Sequence, residues 1–208
     1  TVEGSIIPPG ISNGIAWDGD TLYIAVADTP TDTIFRLDQS GKILGSFSSP
    51  ATETAGLAFD GQNLWIVDRT EGRVFQVDRS GKVIKSIPAP CSEPQGLAYD
   101  GQYFWTFSRK TAGKAYQFDT SGKTIRTIET GGGLSALAWD GKYLWSSAGG
   151  RLIQIDPSNG KMIRFITSSG RMPQYLAWQE PYLWTVELAD GKSEHTRLIK
   201  LLPSSSSP

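Results

Sequence analysis

Histidine and cysteine are nearly missing from this chain, with one of each in 208 residues, and methionine occurs only twice. A lone His195 cannot build a histidine-rich zinc site, and neither paired cysteines nor a His-x-Glu spacing is present. Cys91 has no second cysteine for an internal disulfide and reads as a small, partly buried apolar residue. No apolar run approaches the ~20 residues that a membrane helix needs. Basic runs are missing as well: 20 Lys and Arg offset 21 Asp and Glu, for a net charge of −1. That balance argues against nucleic acid as a partner, which a concentrated basic stripe would serve. Nor is there a Gly-x-Ser-x-Gly elbow, a phosphate-cradling glycine loop or a Cys-x-x-Cys-His haem attachment. The run Gly131-Gly132-Gly133 lacks the following helix that a phosphate site needs and reads as a flexible turn. The expectation is a protein without cofactor, nucleic-acid partner or membrane span.

What the chain has is repetition. The stretch Gly56-Leu57-Ala58-Phe59-Asp60-Gly61-Gln62-Asn63-Leu64-Trp65 reads as an apolar strand, an Asp-Gly turn and a second strand. It recurs around Trp17-Asp18-Gly19, Tyr99-Asp100-Gly101 and Trp139-Asp140-Gly141, and in worn form around Trp178-Gln179-Glu180. The aromatics before the turn, Trp17, Phe59, Tyr99, Trp139 and Trp178, are spaced by 42, 40, 40 and 39 residues. A period near 40 with several short strands per unit is the mark of a propeller blade. Gly, Asp, Ser and Thr punctuate short runs of β-branched and aromatic residues, and no helical spacing of apolar residues persists. Each unit divides into strands a to d, with a hairpin such as Asp78-Arg79-Ser80-Gly81-Lys82 between c and d.

The two ends complete each other. Ser5-Ile6-Ile7-Pro8 matches the end of a d strand, and Thr196 to Leu201 matches a c strand. The fold class expected is therefore all-β: a five-bladed β-propeller with four antiparallel strands per blade. An N-terminal strand at about 2–8 pairs into the last blade and closes the ring, removing an open sheet edge. One domain over 1–203 is expected, with blades at about 11–48, 49–89, 90–129, 130–168 and 169–202. Residues 204–208 read as a serine-rich linker or tail. The chain starts at Thr1, which fits a processed, extracellular or periplasmic protein and a monomeric domain of a larger one.

Strand direction puts the a–b and c–d turns on one face and the b–c and d–a loops on the other. The first set is nearly the same in every copy, whereas the second varies. Binding residues concentrate on variable loops held by a rigid scaffold. The variable face is thus the candidate site. At the channel mouth the reading places Asn13, Thr54, Gln95, Ser135 and Gln174, all polar and uncharged, which suit a sugar or peptide amide or simply water. Around them the ends of strand b add Asp68, Arg69, Arg109, Arg151 and Glu187. Asp68, Arg69, Glu71 and Arg73 also read as a surface ion network. Asp28 and Asp32 are the weak candidates for a metal, here calcium through oxygen ligands. Trp65, Trp105, Trp145 and Trp184, with Tyr23, hold one equivalent position, where packing between blades is the first reading and sugar stacking the second.

The repeat Gly-Leu-Ala-(aromatic)-Asp-Gly-x-x-Leu-Trp, followed by a c strand ending in Asp-x-Ser-Gly-Lys, resembles the bacterial and archaeal extracytoplasmic propellers of the glutaminyl-cyclase-like and YVTN/NHL type. The resemblance covers almost the whole chain. It implies a fold more than an activity, because such repeats host many functions. Plant-type glutaminyl cyclases are five-bladed with Glu-Gly-Leu heading strand a, and the resemblance implies a catalytic carboxylate near the channel mouth. The matching triplets here are Asn13-Gly14-Ile15, Ala55-Gly56-Leu57 and Gln95-Gly96-Leu97, without that Glu. Glu53 and Glu93 lie two or three residues upstream. The repeat is also similar to that of the virginiamycin-lyase type, which implies more blades and a catalytic histidine. The reading is a non-catalytic propeller that presents a protein, peptide or carbohydrate ligand site on the variable face. The alternatives are a cyclase-like aminoacyltransferase with Glu93 or Glu187 as proton carrier, and a lectin-like carbohydrate binder.

Overall fold

The computed structural model describes residues 2–27, 30–167, 173–188 and 196–203. Asp28, His195 and the 204–208 segment lie outside them. Among the described residues there is no helix, hence none long and apolar enough to cross a membrane.

The chain opens with β1 (Val2–Ile6), then forms a first sheet from β2 (Ser12–Trp17), β3 (Leu22–Val26), β4 (Thr33–Leu37) and β5 (Ile43–Ser48). The second sheet is β6 (Thr54–Phe59), β7 (Leu64–Asp68), β8 (Arg73–Val77) and β9 (Val83–Pro88). The third is β10 (Pro94–Tyr99), β11 (Phe104–Ser108), β12 (Lys114–Phe118) and β13 (Thr124–Glu129). The fourth is β14 (Ala138–Trp139), β15 (Leu144–Ala148), β16 (Arg151–Ile155) and β17 (Met162–Thr167). The last is β18 (Pro173–Gln179), β19 (Tyr182–Leu188) and β20 (Thr196–Leu201), completed by β1 in the order β1-β20-β19-β18. Ser5 stands opposite Ile199 and Ile6 opposite Leu198, so the N-terminal strand closes a five-bladed ring as its sequence match to a d strand requires.

No blade has a core of its own. Tyr23 and Ile34 of the first blade pack with Leu64 and Val77 of the second. Trp65 and Val74 of the second pack with Phe104 and Phe118 of the third, and Trp105 and Ala115 of the third with Leu144 and Ile155 of the fourth. Trp145 and Leu152 then meet Leu183 of the fifth blade, whose Trp184 and Leu198 meet Leu22 and Leu37 of the first. The repeated ring is what fills each wedge: Trp65, Trp105, Trp145 and Tyr23 are 0% exposed and Trp184 is 2% exposed. A sugar cannot reach these indoles. The stacking role is closed to them by burial.

A buried indole N–H needs an acceptor. The Asp of the Asp-Gly turn supplies it. One carboxylate oxygen of Asp100 accepts from the backbone N–H groups of Gln102 and Tyr103 at 3.0 and 2.7 Å, which fixes the turn. The other accepts from Trp105 Nε1 at 2.7 Å and from Gln117 Nε2 at 2.6 Å, which ties the turn to strands b and c. Gln117 in turn accepts from Arg126 Nε at 2.8 Å, and that guanidinium lies 5.0 Å from the Trp105 ring centre. Asp140, Trp145, Gln154 and Arg164 repeat the arrangement. In the worn fifth copy Gln179 stands in for Asp, and its Oε1 still accepts from Trp184 Nε1 at 2.7 Å. In the first blade Tyr23 has no N–H to give, and Asp18 pairs instead with Arg79 of the neighbouring blade at 2.9 Å.

The c–d turns serve the joints between blades. Asp38 Oδ1 accepts from Ser40 N, Ser40 Oγ and Lys42 N at 2.8, 2.6 and 3.0 Å. Asp78, Asp119 and Asp156 bind Ser80, Ser121 and Ser158 in the same way. These bonds, the serine hydroxyl first among them, hold all four exposed carboxyls below their ordinary range. Their stabilising effect is present above pH 3.8 and fades as the pH falls through the lowered values. Each turn ends in a glycine that no other residue replaces. Gly122 has φ +88°, and a Cβ there would meet the Pro88 carbonyl of the preceding blade at 2.7 Å.

Asp100→Ala strands a buried indole N–H and unties the turn, so a loss of about 3 kcal/mol is expected in urea denaturation. Gly122→Ala, which adds one methyl group, is expected to cost at least ~1 kcal/mol through its φ and its clash.

Candidate functional site

The innermost strands of the five blades line the central channel. Ile15, Leu57, Leu97, Leu137 and Leu176 converge halfway down it, each 2–3% exposed. The space left beside them is about 10 Å³, too little for a ligand. The channel is therefore two separate mouths. On the Asp-Gly side the mouth is a shallow hollow of about 80 Å³ rimmed by Trp17, Phe59, Tyr99, Trp139 and Trp178.

On the variable-loop side lies a cavity of about 520 Å³, in the range typical of small-molecule sites. It opens because the fourth blade is incomplete there. Gly131 and Gly133, at φ +73° and +83°, lead the chain away from its sheet, and β14 begins only at Ala138. Ser135 is held without a ladder, by its N–H on the Ser147 carbonyl at 3.0 Å and its hydroxyl on the Ser147 hydroxyl at 2.6 Å. The space so freed is lined by the third, fourth and fifth blades and, through Arg69, by the second. Phe107, Leu134 and Pro173 give it an apolar wall, while Arg69, Arg109 and Lys114 bring cations. No Asp or Glu lines it among the described residues.

The residues expected at the mouth divide. Gln95, Ser135 and Gln174 line the cavity together with Arg69 and Arg109, and Gln95 Nε2 donates to the Ser135 carbonyl at 3.1 Å across the joint of two blades. Asn13 is turned to Asp32, donating from Nδ2 to Oδ2 at 2.9 Å. Thr54 is 1% exposed, and its hydroxyl bonds that of Ser49 at 2.9 Å. In the second blade Ala55 holds the register of Asn13, and Thr54 holds that of Ser12, which is likewise buried. Asp68 is fully buried and accepts from Thr52 N and Glu71 N at 2.6 and 3.0 Å, a structural acceptor. Arg151 sits away from the cavity, 4.5 Å from the Phe165 ring centre.

The carboxylates read as proton carriers are elsewhere. Glu187 is 3% exposed on β19 and does not line the cavity. Glu93, at φ +47°, faces a second hollow between the second and third blades, where Cys91 also lies. Burial pushes the Cys91 thiol up to about 12, so it stays protonated and unreactive at neutral pH. Asp32 spends Oδ2 on Asn13 and on the Thr54 N–H at 2.8 Å. Asp28, its expected partner for a metal, lies outside the described residues. The ion network expected of Asp68, Arg69, Glu71 and Arg73 is divided: Arg69 pairs with Glu53, while Arg73 Nε donates to Ser86 Oγ at 2.6 Å.

Tyr175 is the cavity residue the sequence reading passed over. It occupies the strand-a position held by Gly14, Gly56 and Gly96 in the first three blades, so the signal was a bulky ring where the repeat has glycine. Burial raises its phenol above the ordinary value, the charge of Arg69 pulls it down and that of Glu53 pushes it up. It remains a neutral O–H at physiological pH.

No protein-family model matches the chain, and no curated protein matches it in sequence. Among solved structures it is similar to the glutaminyl cyclase of Myxococcus xanthus, with a TM-score of 0.77 over 97% of both chains and 12% identity. At that identity the likeness is one of fold.

Burial also raises the phenols of Tyr23 and Tyr99, so three of the seven tyrosines resist ionisation in the folded protein. The stability this gives is complete below pH 10 and is lost as the pH rises through the raised folded values. Ultraviolet titration is expected to show a late tyrosine phase that urea abolishes, with Tyr175→Phe removing one group from it.

Proposed function

We propose that this propeller is a binding protein whose variable-loop face takes a small polar ligand or a short peptide segment into the 520 Å³ cavity. The observation that carries the reading is the lining itself. The second to fifth blades contribute amides, hydroxyls and cations around an apolar wall, and among the described residues no carboxylate lines it to move a proton. A general acid or base must come within about 3 Å of the atom it serves. Fixed donors around an apolar surface suit recognition.

The second reading is a cyclase-like enzyme, supported by the likeness in fold to the Myxococcus xanthus glutaminyl cyclase. Glu53, paired to the cavity-lining Arg69, is then the carboxylate to consider ahead of Glu93 and Glu187.

Ligand-observed NMR with a panel of short peptides, sugars and small acids at millimolar concentration is expected to yield binders that Ser135→Trp, which fills the cavity, excludes. No binder of any class would overturn the reading. Peptides with N-terminal glutamine are expected to cyclise no faster with the protein than without it. Cyclisation that Glu53→Gln abolishes would establish the second reading in its place.

A further inference from the structure

The cavity is electrically one-sided in a chain that is nearly neutral. Arg69, Arg109 and Lys114 line it without any Asp or Glu among the described residues, although acidic residues outnumber basic ones in the chain as a whole. Two of these cations are committed: Arg69 pairs with Glu53, and Lys114 lies 3.4 Å from Glu129. Arg109 is exposed and has no ion pair among the described residues.

The repeat explains the imbalance. The end of strand b carries a buried carboxylate in the second and fifth blades, Asp68 and Glu187, both nearly inaccessible. In the third and fourth blades, which flank the cavity, the same position holds Ser108 and Ala148. Ser108 builds the neighbouring loop. Its hydroxyl donates to the Ser92 carbonyl at 2.6 Å and accepts from Lys110 N and Thr111 N at 3.1 and 3.0 Å. Arg109 N–H bonds the Glu93 carbonyl at 3.1 Å, so the residue is anchored by its backbone while its guanidinium stays uncommitted.

The lining holds further donors. Arg69 Nε is buried and has no hydrogen-bond partner. Tyr175 keeps its proton, and Gln174 adds an amide beside it. Phe107, Leu134 and Pro173 add apolar surface to the same lining. A planar monoanion on an apolar body fits this arrangement, since one uncommitted guanidinium fork matches a carboxylate in two parallel bonds.

We infer that the cavity recognises a carboxylate carried on an apolar or amide body, with Arg109 as its principal charge partner. The inference rests on the binding reading above and narrows its ligand class. Two sources share this chemistry, the free C-terminus of a peptide and a small organic acid.

Isothermal titration with N-acetyl-alanyl-leucine, its C-terminal amide and 4-methylpentanoate separates them. The peptide acid is expected to bind about tenfold more tightly than the amide, the usual effect of a charge-assisted pair. Arg109→Gln is expected to remove that difference, while Arg151→Gln, outside the cavity, changes neither affinity. Tight binding of the peptide acid alone identifies a peptide C-terminus. Equal binding of 4-methylpentanoate identifies a small organic acid. Equal affinity for acid and amide overturns the inference and leaves the binding reading standing. Binding of none of these probes, where the wider panel still yields neutral binders, overturns it as well. An empty panel overturns both.

Discussion

Every hydrophobic core of this molecule belongs to two blades at once, and that constraint governs the rest. The inner strands of each sheet are apolar on both faces and must bury them against neighbouring sheets. Burial is complete only when the last sheet meets the first. The contact of Trp184 and Leu198 with Leu22 and Leu37 is thus as necessary as any internal joint. The pairing of β1 with β20 supplies the missing strand at that place and covers an edge that would otherwise be open. Stability and closure are here the same requirement.

From it follows the division of the molecule into a repetitive side and a variable side. The Asp-Gly and Asp-x-Ser-Gly turns recur because they organise the joints. Asp100 and Asp140 satisfy buried indoles, and Gly122 lies against the carbonyl of the previous blade. The Trp184–Gln179 bond makes the point sharply, since the residue type changed and the hydrogen bond did not. The opposite face has no such duty. There the fourth blade gives up the upper half of strand a, Tyr175 replaces a glycine, and Ser108 replaces a buried carboxylate. All three departures converge on one cavity.

Much of this was legible in order along the chain. The turns are set by residues within five positions of one another, where Asp oxygen atoms and glycine φ angles act locally. The period and the match between the two termini gave the blade count. Other readings failed for an equally physical reason. Thr54 is one position off the repeat: it stands six residues before the turn aspartate, where Asn13, Gln95 and Ser135 stand five before. A slip of one residue along a strand moves a side chain to the opposite face, here that of the buried Ser12. Asp68 and Glu187 were read as mouth residues, yet the end of strand b lies between blades, where only burial and backbone donors decide their role.

By itself the sequence determined the all-β class, the five blades, the closing strand and the face on which variation collects. Each follows from local turn chemistry and a period, which need no knowledge of distant contacts. Only the tertiary structure decided that the channel is plugged by five aliphatic side chains and that the space lies over the second to fifth blades. It alone brought Arg69, Arg109, Gln95, Ser135 and Tyr175 around one void. Those residues are up to 106 positions apart in sequence. Their meeting depends on strand register, on a bulge and on the closing of the ring, which no short stretch of chain encodes.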